Sequence, residues 1–197
     1  MTQIDQETTL KAITRFAATA RDVRGSVGER EERETAERFV VEINRAINPP
    51  RALSADQVIV RSLLLASDAT NHYGGRFAGD ELRRIAELAV DSPVLVGHRK
   101  DTLPIARVFR ASVINHEGQR WAKAFFYWLR ESSGSETLAA NIDGGVYKEC
   151  SLGFTFLRAE CSICGADIRS CPHTPDAAIP DSVRSKQSDG QDCVYYY

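Results

Sequence analysis

The sequence predicts an α+β fold, a mainly antiparallel β-sheet or barrel with helices laid on it. Three observations lead there. Between Gln57 and Leu157 five runs rich in Val, Ile, Leu and aromatic residues read as strands. Only two short helical patterns interrupt them. Asn115-His116-Glu117-Gly118, between the third and fourth runs, reads as a hairpin turn.

In chain order, Leu10, Ile13, Phe16, Ala17 and Ala20 recur at helical spacing after Thr8 and Thr9. A second stripe, Ala36, Phe39, Val40, Ile43 and Ile47, is stopped by Asn48-Pro49-Pro50. Residues 1–50 therefore read as a helical N-terminal extension, separated internally by the charged VRGSVGEREERE. Packing on the main domain and service as a removable or partner-binding segment both stay open.

Residues 51–158 hold the expected β core: QVIVRSLLLA from Gln57, PVLV before Gly97-His98, PIARVFRASVI from Pro104, RWAKAFFYWL from Arg120 and VYKECSLGFTFL from Val146. The helical pattern GDELRRIAELAV follows Gly79, with Asp80 as its cap. SETLAANID follows Gly134, is opened by Ser135 and ends at Gly144-Gly145.

Composition narrows the function classes. With 197 residues, 43% hydrophobic and 26% charged, the chain can bury one core and is not a disordered polymer. A formal charge of -2 supplies no field that draws a protein to nucleic acid. MTQIDQETTL lacks a secretory pattern, and no apolar stretch nears the roughly 18 residues a membrane span needs. A soluble, intracellular protein without nucleic-acid or membrane partners is the expectation.

Of five cysteines, three crowd into residues 161–171, which suits a metal site in a reducing compartment better than a disulfide framework. Cys161 and Cys164 form CxxCG, and Cys171 and His173 form CPH. A CxxC turn sets two thiolates on one side of an ion, Gly165 permits the tight backbone behind them, and the second pair completes a tetrahedron. Residues 159–175 thus read as a zinc-binding module, structural because protein fills all four positions. Cys193 in place of His173, or free thiols on a loop, are the alternatives. Residues 176–197 read as a polar loop and a terminal strand, DCVYYY, which leaves a truncated or early-stopped chain open.

Within VYKECSLGFTFL, strand alternation puts Ser151, Gly153 and Thr155 on one face and Cys150, Leu152, Phe154 and Phe156 on the other. Gly153 clears room beside the Ser151 hydroxyl, whereas a solvent-facing serine beside a bulge is the plainer reading. His98 stands at the mouth of the PVLV run, and a serine hydroxyl needs such a base to become a nucleophile.

PVLVGHRKDTLPIARV, then AFFYW, then LAANIDGGVYKECSLGF together resemble the maturation proteases of tailed-phage proheads, relatives of the herpesvirus assembly protease. The resemblance spans residues 57–157. It implies a core of the herpesvirus-protease type and a serine endopeptidase in which Ser151 is the nucleophile and His98 the general base. Backbone amides near Gly153 would hold the oxyanion. No role passes to Ala106 or Arg107. The third member is unassigned: Glu160, Asp167, Asp176 and Asp181 follow the serine, none in a matching motif, and a residue past Tyr197 is a further alternative. The resemblance also implies a similar cysteine-rich insert, capsid and scaffold proteins and the chain itself as substrates, a homo-oligomer, and a location inside immature capsids in the bacterial host cytoplasm. Two other readings remain. One is a non-catalytic capsid or scaffold protein keeping the fold and the zinc site; the other is a zinc-ribbon module on nucleic acid, which leaves His98 and Ser151 unexplained.

Overall fold

The computed structural model describes residues 18–19, 29–71, 74–77, 79–96, 101–173 and 194–196. Its elements are β1 (Ala18–Thr19), α1 (Glu29–Ile47), a 3-10 turn (Ala55–Gln57), β2 (Val58–Ser67), β3 (Gly75–Arg76), α2 (Glu81–Ala89), β4 (Pro93–Val94), β5 (Ala106–His116), β6 (Gln119–Leu129), α3 (Ser135–Asp143), β7 (Glu149–Cys150), β8 (Glu160–Cys161) and β9 (Tyr195–Tyr196).

β5 and β6 are the frame. Glu117 and Gly118 both adopt positive φ, 49° and 78°, so a two-residue turn of the primed kind sets His116 opposite Gln119 and fixes the register of both strands. β2 pairs with the other edge of β6 and β4 with the other edge of β5, giving the order β2-β6-β5-β4, antiparallel throughout. The sheet curls into a half-barrel, and the expected α+β architecture is present.

Both faces of this sheet are covered, which is why its strands read as nearly unbroken apolar runs. On one face Ile59, Val108, Phe126 and Trp128 pack with Leu82, Ala86 and Ala89 of α2, while Leu138 and Ile142 of α3 lie against the same cluster. On the other, Val58, Val60, Phe109 and Tyr127 meet Ala36, Phe39 and Ile43 of α1. Neighbours in sequence fall into opposite clusters, as the two-residue period requires. α1 therefore closes a sheet face; Ala36 and Ile43 are fully buried.

Four local expectations change. Ser135 does not cap α3: Gly134, in the left-handed region at φ 78°, occupies the cap, and buried Ser135 accepts a hydrogen bond from Trp128 Nε1 at 3.0 Å. An indole N–H in a core needs such an acceptor, and that need outranks capping. Asp80 stands at the start of α2 but makes no side-chain capping bond. Ala18 and Thr19, at the end of the first expected helix, form a strand; the remainder of that helix lies outside the described residues. Finally, the long strand expected from Val146 to Leu157 is ordered as strand only over Glu149–Cys150, the two residues that have a partner. No described helix is long and apolar enough to cross a membrane.

Candidate functional site

Cys161, Cys164, Cys171 and His173 come together, each offering one ligand atom, and these atoms lie within 4.8 Å of one another. Cys164 Sγ is 3.5 Å from Cys171 Sγ, while His173 Nδ1 is 3.3 Å from Cys171 Sγ and 3.7 Å from Cys161 Sγ. A tetrahedral ion with metal–sulfur bonds of about 2.3 Å and metal–nitrogen bonds of about 2.0 Å requires ligand–ligand edges of roughly 3.5–3.8 Å. Two of the three separations fall in that range and the third is 0.2 Å short of it, so the cluster could bind a metal.

The backbone is arranged for thiolates. Ile163 N–H points at Cys161 Sγ at 3.4 Å, and His173 N–H at Cys171 Sγ at 3.3 Å. The CxxCG turn closes by Gly165 N–H donating to the Cys161 carbonyl at 2.9 Å, and Gly165 has φ 68°, a conformation that favours a residue without Cβ. Desolvation, followed by hydrogen bonding to the Cys164 and Cys161 thiols, pushes the Cys171 thiol up to about 11. A bound cation reverses that preference, because thiolate is the ligating form.

Two arginines brace the module. Arg158 Nη2 donates to the Gly165 carbonyl at 2.9 Å. Arg169 Nε donates to Asp167 Oδ1 at 2.8 Å and its Nη2 donates to the Leu157 carbonyl at 2.9 Å. These donors hold the Asp167 carboxyl down at about 2, with the Arg169 side-chain hydrogen bond as the largest cause. The sequence pattern gave no sign of this bracing, although D-x-R across a tight turn is the spacing at which such a grip forms.

The module is also stitched to the rest of the fold. β9 lies between β3 and β8, parallel to β3 and antiparallel to β8, with Tyr195 opposite the ligand Cys161. Ser162 N–H donates to the Val194 carbonyl at 2.8 Å, and Val194 N–H donates back to Ser162 Oγ at 2.9 Å. The terminal run DCVYYY thus enters the fold as a strand over Tyr195–Tyr196.

Ser151 follows β7 directly and is partly buried, outside regular strand. Its surroundings keep the expected alternation without the ladder: Leu152 and Phe154 pack against the main core, and Gly153 and Thr155 are exposed. Phe154 meets Phe77 edge-on at 5.2 Å between centroids. One residue before, the Cys150 thiol donates to the Leu64 carbonyl at 3.2 Å, next to the bulge that shifts the β2–β6 register between Leu64 and Ala66. Burial pushes that thiol up to about 12, so it is no nucleophile. Upstream, α3 stops where Gly144 leaves no room for a Cβ, which would sit 2.8 Å from the Ala140 carbonyl oxygen, and Val146 and Tyr147 N–H both donate to the Asn141 carbonyl. This stop turns the chain toward β7.

His98 lies outside the described residues, as do Asp176, Asp181 and Cys193. In sequence His98 falls in the connection between β4 and β5. Of the acids considered as a third member, Glu160 is ion-paired with Arg158 at 3.2 Å and Asp167 with Arg169, both inside the metal module. Compared with known proteins, the chain matches no family model, no curated protein and no solved structure.

Proposed function

We propose that the chain is a serine endopeptidase of the prohead-maturation type, acting on capsid or scaffold protein, and that its cysteine cluster holds a structural zinc. The observation that carries the peptidase reading is the position of Ser151. It leaves β7 at the end of the order the resemblance implies, partly accessible, with exposed Gly153 two residues on. In this reading His98 takes the Ser151 proton as the oxygen attacks a peptide carbonyl, then delivers it to the leaving amine. Backbone N–H groups around Gly153 would receive the negative charge that develops on the carbonyl oxygen.

A fluorophosphonate probe tests it. The wild-type chain should be labelled at Ser151, with labelling lost in Ser151→Ala and strongly slowed in His98→Ala. Co-expression with the cognate capsid protein extends the test to its substrate. If the capsid protein is processed equally by wild type and Ser151→Ala, the chain is an assembly component that keeps only the architecture.

For zinc, the support is the ligand set. Three thiols and one imidazole gathered within 4.8 Å of one another suit a borderline-soft ion, and four protein ligands leave no position for substrate. Purified protein should carry one zinc per chain, absent from the Cys161→Ser, Cys164→Ser double variant.

A further inference from the structure

The three thiols of the metal cluster differ in exposure. Cys161 is 2% exposed, and its sulfur faces the Ile163 N–H and the His173 ring. Cys171 is half-buried, whereas Cys164 is exposed. A dissolved oxidant therefore meets Cys164 first, and it meets a thiolate there when a cation is bound, because thiolate is the ligating form. Beside that sulfur, at 3.5 Å, is Cys171 Sγ. A disulfide of about 2.05 Å asks these two atoms to approach by roughly 1.5 Å.

The loop between the two cysteines is anchored by contacts that do not involve an ion. Cys161 N–H donates to the Ala166 carbonyl and Ile168 N–H to the Ala159 carbonyl, each at 2.9 Å, and Glu160 bridges to Asp167. Arg158 grips the Gly165 carbonyl, and Arg169 grips Asp167. With its middle pinned to residues 159–161, the loop keeps its ends, and so the two thiols, near each other after an ion has left. The Cys150 thiol is engaged elsewhere, on the Leu64 carbonyl of β2.

We propose that Cys164 and Cys171 are an oxidant-operated latch on the metal: a peroxide joins them as a disulfide, the zinc leaves, and a thiol reductant with zinc restores the site. The inference rests on the cluster holding zinc. Zinc itself changes no oxidation state, so both electrons come from the sulfurs. The Cys164 thiolate attacks one peroxide oxygen; an S–O bond forms, the O–O bond breaks, and the departing hydroxide takes a proton to become water. The Cys171 thiolate then attacks the Cys164 sulfenic acid; the S–S bond forms, the S–O bond breaks, and a second hydroxide leaves and is protonated. Two thiolates, one hydrogen peroxide and two protons thus give one disulfide and two waters. Cys161 and His173 remain, two ligands short of a tetrahedral site. The new bond closes the same loop that the ion closed, so the module keeps its shape while it gives up the metal.

The test treats the zinc-loaded full chain with hydrogen peroxide. A chromogenic chelator should register the release of about one zinc per chain, and unreduced peptide maps should show Cys164 joined to Cys171 with Cys150 unmodified. Dithiothreitol followed by zinc should reverse both. A second arm starts from the chelated, reduced chain, where peroxide should form the same bond and return the amide protection over residues 159–173 that chelation removes.

Zinc retained after oxidation overturns the latch, as does a disulfide through Cys161 or Cys193, or oxidation of Cys164 to sulfinic acid with Cys171 left free. A Cys164–Cys171 bond that does not return protection overturns the claim that it replaces the ion in closing the loop. If the purified chain holds no zinc, takes up none, and still forms this bond, the zinc reading is what fails and the thiol pair stands.

Discussion

Arg61, in β2, grips Asp143, in the last turn of α3, at two points: Nε to Oδ1 at 2.7 Å and Nη2 to Oδ2 at 2.6 Å. Arg61 is 8% exposed, its guanidinium also donates to the Val60 carbonyl, and it lies 5.8 Å from the centre of the Trp128 ring. Glu32 of α1 comes within 3.7 Å of the same group. One buried cation thus gathers α1, β2, β6 and α3.

Removing Asp143 takes away both hydrogen bonds of the buried Arg61 guanidinium to a carboxylate and leaves Glu32, at 3.7 Å, as its only acid partner among the described residues, so Asp143→Ala should cost about 3 kcal/mol. For a chain of this size that lowers Tm by roughly 10 °C. Replacing both residues, Arg61→Met with Asp143→Leu, should recover much of the loss. Thermal unfolding of the three variants gives the comparison.

Chelation should loosen one region and spare another. The ligands belong to the segment that includes β8, and β8 pairs with β9, whereas the β2-β6-β5-β4 sheet contributes none of them. After treatment with a strong chelator, amide exchange should quicken over residues 159–173 and 194–196 while β5 and β6 stay protected. Cys164→Ser should reproduce this without chelator.

Cys150 should resist alkylation. Burial raises its thiol to about 12, against an unfolded value of about 8.5. The neutral form is favoured in the fold, so this contribution to stability is whole below the unfolded value and fades as pH rises toward the folded one. At pH 8 iodoacetamide should leave Cys150 unmodified in the native chain and modify it in denaturant, as peptide mass mapping will show.

Asp167 works in the opposite direction. Arg169 holds its carboxyl at about 2, against about 3.9 when unfolded, so the Asp167–Arg169 contribution is present above the unfolded value and lost as pH falls through the folded one. The Arg169 Nε–H resonance should stay sharp above about pH 4 and broaden toward pH 2. In Asp167→Asn that transition should disappear.

Long-range patterning made most of the architecture legible. QVIVRSLLLA, PIARVFRASVI and RWAKAFFYWL each became strands because their apolar density matches burial on two faces, and Glu117-Gly118 supplied the backbone that a tight hairpin requires. The four metal-binding candidates were legible because ligand spacing is local. VYKECSLGFTFL was misread in extent because alternation reports which way side chains point, and a ladder needs a partner that alternation does not reveal. The pairing of Ala18–Thr19 with β7 was hidden for the same reason, as was β9 between β3 and β8. Ser135 misled because its hydroxyl answers an indole in the core.

Among the described residues, α1 and the α2–α3 layer together cover both faces of the curved sheet around Val58–Val60, Val108–Phe109 and Phe126–Trp128. Stacking flank to flank over that core, as β-sandwich dimers do, is therefore closed to it. Copies that assemble must meet along the rims at β2 and β4 or through the outward sides of the helices, so mutations that abolish association without unfolding the chain should map to those perimeters.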